Sequence, residues 1–177
     1  MLSISRVCTA KDFTIGGELC RAFGAWDAEA CRAYDIPPEV VVSFFHDEDD
    51  EALAARYSVA DAPFMLARWD GEPAGCIALE PFDETASEIH KFYVDPAFRG
   101  RGIGKALLQE VLAEAGKGTS TMLLVHTTVY MKSALSLYEA FSFKRCPPFR
   151  DIPDAIRHTE VFMKRPTSLD GENGAQR

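Results

Sequence analysis

Apolar residues recur along the chain with the two spacings that distinguish strands from helices. Short apolar or alternating runs predict strands at residues 2–7, 64–69, 74–79, 87–94, 122–125, 143–146 and 158–163. Apolar positions three and four residues apart predict helices at residues 10–34, 38–56, 102–115 and 131–141, with a break near Asp47 in the second. Asp70-Gly71 lies between two predicted strands and is typical of a hairpin turn. This order predicts a mixed α/β sheet with helices on its faces.

Length and charge narrow the class of protein. The chain has 177 residues, the size of one ordinary domain, and no stretch reaches the roughly 20 apolar residues of a membrane helix. Its net charge of −8 argues against a nucleic-acid partner. The acidic run Asp47–Glu51 is typical of a solvated loop, with attraction of a cationic substrate as the lesser alternative.

Cysteine usage and the N-terminus indicate a cellular compartment. The five cysteines are an odd number and form no Cys-x-x-Cys pair, which argues against a disulfide framework or a zinc site. Residues 1–6 show no basic start followed by a long apolar block, so we expect no secretory signal. A reducing cytoplasm is therefore the predicted location, and no metal is expected.

A glycine-rich turn carries the candidate chemistry. The strand ending at Val94 leads through Arg99-Gly100-Arg101-Gly102-Ile103-Gly104-Lys105 directly into an amphipathic helix. Backbone N–H groups at a helix start lack internal partners and carry the positive end of the dipole, so they suit a diphosphate. The three glycines let phosphates approach the backbone, and Arg99, Arg101 and Lys105 add positive charge. By itself the turn is also compatible with tight packing on a sheet.

Two established phosphate motifs do not match this turn. A Walker motif requires Gly-Lys-Ser/Thr, whereas Lys105 is followed by Ala106. The dinucleotide fingerprint requires Gly-x-Gly-x-x-Gly, which glycines at 100, 102 and 104 do not give.

The segment Arg99–Gly104 resembles the Arg/Gln-x-x-Gly-x-Gly/Ala signature of the GNAT acetyltransferases. Residues 134–143, Ala-Leu-Ser-Leu-Tyr-Glu-Ala-Phe-Ser-Phe, are similar to the family's Ala-x-x-Leu-Tyr-x-x-x-Gly-Phe segment. The resemblance covers about residues 64–164. Two positions depart from it, since Ser142 stands where the family often has Gly and Met131 where many members have Asn. It implies an α+β fold with a mixed, mostly antiparallel central sheet flanked by helices, formed here by one domain over residues 1–165.

The resemblance also implies the reaction. Acetyl-CoA is the expected co-substrate, and an amine attacks its thioester directly within a ternary complex. The strand before the motif is expected to splay from its neighbour and to pair with the pantetheine arm, and an N–H near Val94 to polarise the thioester carbonyl. The predicted cofactor-binding residues are Phe92, Val94, Arg99, Gly100, Arg101, Gly102, Ile103, Gly104 and Lys105.

Three side chains are candidates for proton transfer. Tyr138 matches the family tyrosine that protonates the leaving thiolate, although its helical spacing also fits a core role. Glu88 lies eleven residues before Arg99, an offset similar to that of a glutamate base in some members. An exposed strand residue or a simple counter-ion for the amine is an equal alternative for Glu88. His90, on the same strand face by alternation, is a lesser candidate base.

The acceptor is expected to be a primary amine of a small molecule or a peptide. Its pocket is predicted between residues 23–57 and 147–157, where the aromatic candidates are Trp26, Tyr34, Phe44, Phe45 and Phe149. Two alternatives stay open: a non-catalytic CoA-binding sensor of the same fold, and an unrelated phosphate-binding domain. Neither membrane nor nucleic-acid partners are expected, and a homodimer is left open. Residues 166–177 are polar and predict a disordered tail.

Overall fold

The computed structural model describes residues 1–168. The described part of the chain forms seven strands: β1 (Leu2–Arg6), β2 (Phe64–Trp69), β3 (Glu72–Pro81), β4 (Ala86–Val94), β5 (Met122–Thr128), β6 (Lys144–Arg145) and β7 (Glu160–Pro166). Its α-helices are α1 (Ala10–Ala30), α2 (Pro38–Phe45), α3 (Asp50–Tyr57), α4 (Ile103–Ala115) and α5 (Lys132–Ala140). Most of the predicted tail lies outside the described residues.

The seven strands form one sheet in the order β1-β2-β3-β4-β5-β7-β6. Neighbouring strands run antiparallel except for β4 and β5, which are parallel. The parallel pair requires a crossover, and α4 supplies it. The prediction of a mixed, mostly antiparallel sheet flanked by helices is thereby confirmed.

Each face of the sheet is covered by a different set of helices. The apolar stripe of α4, which includes Leu107, Leu108 and Val111, is fully buried against β2–β5, and Tyr138 and Leu135 of α5 join the same cluster. On the opposite face Phe13 and Leu19 of α1 pack with residues of α3, β2 and β3. The strands therefore lie between two apolar layers.

Several predicted boundaries shift for local reasons. The first helix ends at Ala30 and continues as a 3-10 turn over Cys31–Tyr34, where Asp35 in the left-handed region (φ 56°) stops it. The predicted break near Asp47 separates α2 from α3, because the Asp49 side chain caps α3 by accepting from the Ala52 N–H at 2.8 Å. The final strand starts at Glu160 rather than at His158.

Helix length and polarity bear on a membrane location. None of the helices in residues 1–168 combines the length and the apolar character that crossing a bilayer requires.

Candidate active site

Strands β4 and β5 separate halfway along their length. Their parallel pairing runs from Ala86–Met122 to Ile89–Val125 and then ends, while β5 stays paired with β7 as far as Thr128. Within the described residues, β4 has no partner on its β5 side from His90 onward. The expected splay is therefore present, and it leaves backbone groups free for an extended ligand to pair with.

A bulge in β4 decides where its side chains point. Ala78 pairs with His90 and Cys76 with Tyr93, so β4 holds one extra residue, and Lys91 takes a left-handed conformation (φ 55°). The Cys76 thiol donates to the freed Lys91 carbonyl at 3.2 Å. As a result Phe92 and Val94 pack on the α4 and α5 side, whereas Tyr93 packs on the α1 side.

The turn before α4 has the geometry of an anion site. Gly100 and Gly102 both have φ of +78°, a region that glycine enters without steric cost. Apart from each glycine and its two chain neighbours, no atom of the described residues lies within 4 Å of a Cβ built on either. The first intrahelical bond runs from the Ala106 N–H to the Gly102 carbonyl at 3.1 Å. The N–H groups of residues 103–105 therefore remain free at the positive end of the helix dipole.

A cleft of about 340 Å³ joins this turn to the splayed strands. Eight of the nine predicted cofactor-binding residues line it: Phe92, Val94, Arg99, Gly100, Gly102, Ile103, Gly104 and Lys105. The opposite wall consists of residues 130–134 and Leu137 at the start of α5, with Phe23 and Trp26 of α1 at one end. The sequence motif thus forms one side of a continuous groove.

The two arginines of the motif differ in their surroundings. Arg99 lines the cleft, donates from Nε to the Val94 carbonyl at 3.0 Å, and lies 5.3 Å from the Trp26 ring. Arg101 does not line the cleft, because its guanidinium lies over the rings of Trp69 and Phe98 at 5.0 and 5.6 Å. Only the backbone of Arg101 belongs to the turn.

A smaller cavity of about 80 Å³ lies where β4 and β5 part, and it shares Phe23, Phe92, Met131 and Ala134 with the cleft. Tyr138 lines it with a side chain that is almost fully buried. The tyrosine ring packs against Phe92 and Phe143, and its hydroxyl makes no hydrogen bond within residues 1–168. Burial, assisted by the charge of Glu88, raises the pKa of Tyr138 well above its usual value.

Glu88 and His90 belong to a buried network of charges rather than to an exposed strand surface. His90 Nε2 lies 3.1 Å from Glu88 Oε2 and 2.8 Å from Glu80 Oε1, and Arg150 Nη2 donates to Glu88. Burial alone would raise the pKa of Glu88, but His90 and Arg150 outweigh it and lower that pKa. Burial would lower the pKa of His90, yet its two carboxylate partners raise it. His90 therefore favours its charged form.

Two further histidine–carboxylate pairs border the smaller cavity. His46 Nε2 lies 2.8 Å from Asp27 Oδ2, and the Tyr130 hydroxyl donates to Asp27 Oδ1 at 2.7 Å. His126 Nε2 lies 2.6 Å from Glu160 Oε2. Sequence reasoning missed both pairs, because the partners are 19 and 34 residues apart and belong to no motif.

The predicted acceptor-side aromatics divide between the two cavities, half-buried packed positions and the surface. Trp26 lines the cleft and Phe45 the smaller cavity. Tyr34 packs against Tyr130, Phe149 packs against Phe162, and Phe44 is partly exposed at 38%. Of these five, two therefore face space that a ligand can enter.

Comparison with known proteins agrees with this geometry. The model of the acetyltransferase (GNAT) family matches residues 28–143, which is more than half of the chain. This chain belongs to the GNAT family. The region found by the family model contains both α4 with its glycine turn and α5 with Tyr138, so the resemblance of the two motifs is confirmed.

Individual GNAT relatives extend the comparison. The chain is 32% identical over 108 residues to the IAA acetyltransferase of Azospirillum brasilense and 35% identical over 100 residues to the N-acetyltransferase YsnE of Bacillus subtilis. These alignments cover 60% and 55% of this chain, and 69% and 65% of the two relatives. The PaiA N-acetyltransferase of Thermoplasma acidophilum, solved in complex with coenzyme A, superposes with a TM-score of 0.71 at 20% identity, covering 94% of this chain and 99% of that one. The fold is that of GNAT N-acyltransferases.

Proposed function

We propose that this GNAT enzyme transfers the acetyl group of acetyl-CoA to a primary amine of a small molecule or peptide, by direct attack of the amine. The observation that carries the proposal is the continuous groove from the free N–H groups of α4 to the unpaired edge of β4. A diphosphate at one end and an extended amide-containing arm along the other match these two features in order.

Residues of the groove fit the parts of acetyl-CoA. The turn at Gly100–Lys105 supplies backbone N–H groups and the Lys105 charge for the diphosphate. The free edge of Phe92–Val94 pairs with the pantetheine amides, and an N–H of that segment polarises the thioester carbonyl. Acetyl-CoA itself supplies the activated acyl group, so the chain needs neither a nucleophilic side chain nor a metal for this chemistry.

Proton transfer to the departing sulfur is assigned to Tyr138. Its raised pKa keeps the phenol protonated at neutral pH, and its hydroxyl is not engaged by the described residues. It lines the cavity at the fork of the strands, and the proposal puts the reactive end of the arm there. These features support the acid role over a purely structural one.

Glu88 is assigned an electrostatic role. Glu88 is not an exposed strand residue, because it is only 2% exposed. Its lowered pKa and its partners Arg150 and His90 make it a weak acceptor for a proton. These contacts support a fixed negative charge near the amine rather than a general base.

All five cysteines are free thiols, which supports a reducing cytoplasmic location.

The test is calorimetric titration of acetyl-CoA into wild-type protein and two glycine variants. Gly102→Glu places a carboxylate in the diphosphate site, whereas Gly71→Glu introduces the same side chain at another glycine of positive φ (+89°), in the β2–β3 hairpin outside the groove. Both changes carry the same backbone strain of about 1–2 kcal/mol. We expect micromolar binding by wild type and Gly71→Glu, and none by Gly102→Glu.

Turnover is then measured as thiol release with a panel of primary amines, from ethylamine and benzylamine to a lysine-containing peptide. Release with any of them supports transfer. Binding without release across the panel would favour the CoA-binding sensor, and failure of folded wild type to bind would overturn the proposal.

A further inference from the structure

The amine needs a base that Glu88 does not provide. An alkyl ammonium, with a pKa of about 10, must lose a proton before it attacks. Glu88 and His90 are each held by partners that oppose this role, since the lowered pKa of the carboxylate weakens it as a base and the raised pKa of the imidazole favours its charged form. Another side chain around the smaller cavity is therefore better suited to take this proton.

His126 occupies the required place in the fold. It is the first residue of β5 beyond the last pair with β4, Ile89–Val125, so it lies at the fork of the two strands. By the parallel register, its side chain projects from the same sheet face as Glu88 and His90, and it lines the same small cavity as Tyr138. Tyr138, the proposed acid, and His126 thus line the same cavity.

The imidazole of His126 is fixed by three contacts. Its Nε2 lies 2.6 Å from Glu160 Oε2, its ring stacks on Phe162 at 4.2 Å, and the edge of the Phe45 ring contacts it at 5.1 Å. The side chain is 2% exposed, and Nδ1 is buried without a hydrogen-bond partner in the described part of the chain. An Nε2–H directed at a carboxylate leaves the Nδ1 lone pair as the acceptor in the neutral ring.

Resting on the proposed function, we propose that His126 is the general base that deprotonates the acceptor amine, and that Glu160 is its positioning residue. The Nδ1 lone pair takes one proton from the ammonium. The amine nitrogen then forms the C–N bond while the C–S bond breaks, and the departing sulfur takes a proton from Tyr138. The second nitrogen proton restores Tyr138, and His126 gives its proton to water, so the reaction releases one proton overall.

Other ionisable groups line the smaller cavity with His126 or contact the residues that line it. They are Asp27 of α1, His46 after α2, Glu88, His90 and Lys91 of β4, Tyr130 after β5, Tyr138 of α5 and Glu160 of β7. Among them His46 is the strongest rival, since it also pairs through Nε2 with a carboxylate. Its partner Asp27 also accepts from the Tyr130 hydroxyl, and the His46→Gln variant tests this rival directly.

The test compares the pH dependence of kcat/KM for wild type, His126→Gln, His46→Gln and His158→Gln, using the amine that gives the fastest thiol release in the panel above. His158 is an exposed histidine that contacts the Tyr34 carbonyl outside the cavity, so it is the matched control. We expect His126→Gln to lose about 10²-fold or more at pH 7. The deficit should shrink as the pH approaches the pKa of the amine, because the free amine then forms in solution.

Glu160→Gln provides an independent readout. Without the carboxylate no acceptor directs the Nε2–H, so fewer rings present a free Nδ1 lone pair, and Glu160→Gln should show a smaller deficit that also shrinks as the pH approaches the pKa of the amine. A loss of packing alone would lower kcat/KM equally at every pH. Unchanged calorimetric affinity for acetyl-CoA establishes that each variant retains the folded groove.

The possible outcomes are distinct. The inference is overturned if His126→Gln shows an equal deficit at every pH or an unchanged profile. It is also overturned if His46→Gln, and not His126→Gln, loses the acid limb of the profile. None of these outcomes contradicts the proposed transferase activity. Absence of turnover by wild type with every amine would instead count against the proposed function.

Discussion

The side chain of Tyr138 is 3% exposed and the described residues offer its hydroxyl no hydrogen bond, but the hydroxyl is not among the completely buried polar atoms. A buried hydroxyl without a partner costs free energy, so a fold retains one at a cost to stability. Tyr57 is a second buried tyrosine whose hydroxyl lacks a partner, and it packs against Phe64 away from the cleft. The two residues share their chemistry but not their access to the fork of the strands.

Replacing each of these two tyrosines by phenylalanine separates a catalytic role from a structural one. Tyr138→Phe should lower kcat by about 10²-fold, the usual contribution of a general acid, while the free energy of unfolding stays the same or rises by up to ~1 kcal/mol. Tyr57→Phe should show the same stability effect with unchanged kcat. Thiol-release kinetics and urea unfolding of both variants measure this. Equal activity of Tyr138→Phe and wild type would assign Tyr138 to the core.

Sequence reasoning located the groove where its residues are adjacent in the chain. Gly100, Gly102 and Tyr138 belong to local motifs, because a turn or a helix start is built by neighbours in the chain. Arg101 shows the limit of that reasoning, since its side chain stacks on Trp69, a residue 32 positions earlier that no motif relates to it. The left-handed conformation of Ser142 (φ 68°) explains why glycine suits this position in relatives.

At the scale of elements, a charge network connects α3 and the loop before it to the centre of the sheet. Arg56 of α3 donates to Glu80 of β3 at 2.5 Å and to Glu48 at 2.5 Å, and Lys91 of β4 lies 2.5 Å from Glu48. The extra residue at Lys91 makes this arrangement possible, because it turns His90 and Lys91 toward the same face. Simple alternation along β4 does not predict that geometry.

The network predicts a pH dependence of stability. Burial would raise the pKa of Glu80, but His90 and Arg56 lower it to about 2. A lowered folded-state pKa means that the stabilisation is complete above the unfolded pKa of about 4.5 and is lost as the pH falls through about 2. Glu80→Gln should therefore remove on the order of 1–3 kcal/mol of unfolding free energy at pH 7 and less at pH 3.

Urea unfolding at both pH values measures the effect. The exposed Glu84, in the loop between β3 and β4, provides the matched control, and Glu84→Gln should leave the pH dependence of wild type unchanged. An equal loss at pH 7 and pH 3 for Glu80→Gln would indicate that packing, not charge, is what this residue contributes.

At the scale of the whole molecule, the groove is built from both sides of the sheet. Phe23 and Trp26 belong to the cluster on the α1 face, whereas Phe92 and Leu137 belong to the cluster on the α4 face, yet all four line one cleft. His126 and Glu160 likewise meet only because β5 and β7 pair. Such contacts depend on topology, so local patterns predicted the strands but not the His126–Glu160 pair.

A ligand held between two apolar layers should stabilise the whole chain. At 100 times its dissociation constant a bound ligand adds about 2.7 kcal/mol to the free energy of unfolding. For a chain of this size each kcal/mol raises Tm by roughly 2–4 °C, so acetyl-CoA should raise Tm by about 5–11 °C. Gly71→Glu should show the same shift, and Gly102→Glu should show none.

Amide hydrogen exchange then tests whether the helices on both faces of the sheet contact bound acetyl-CoA. If the cleft acts as one site, acetyl-CoA should slow exchange in the second half of α1, near Phe23 and Trp26, as well as at the start of α4. Protection confined to α4 would mean that α1 does not contribute to the bound state.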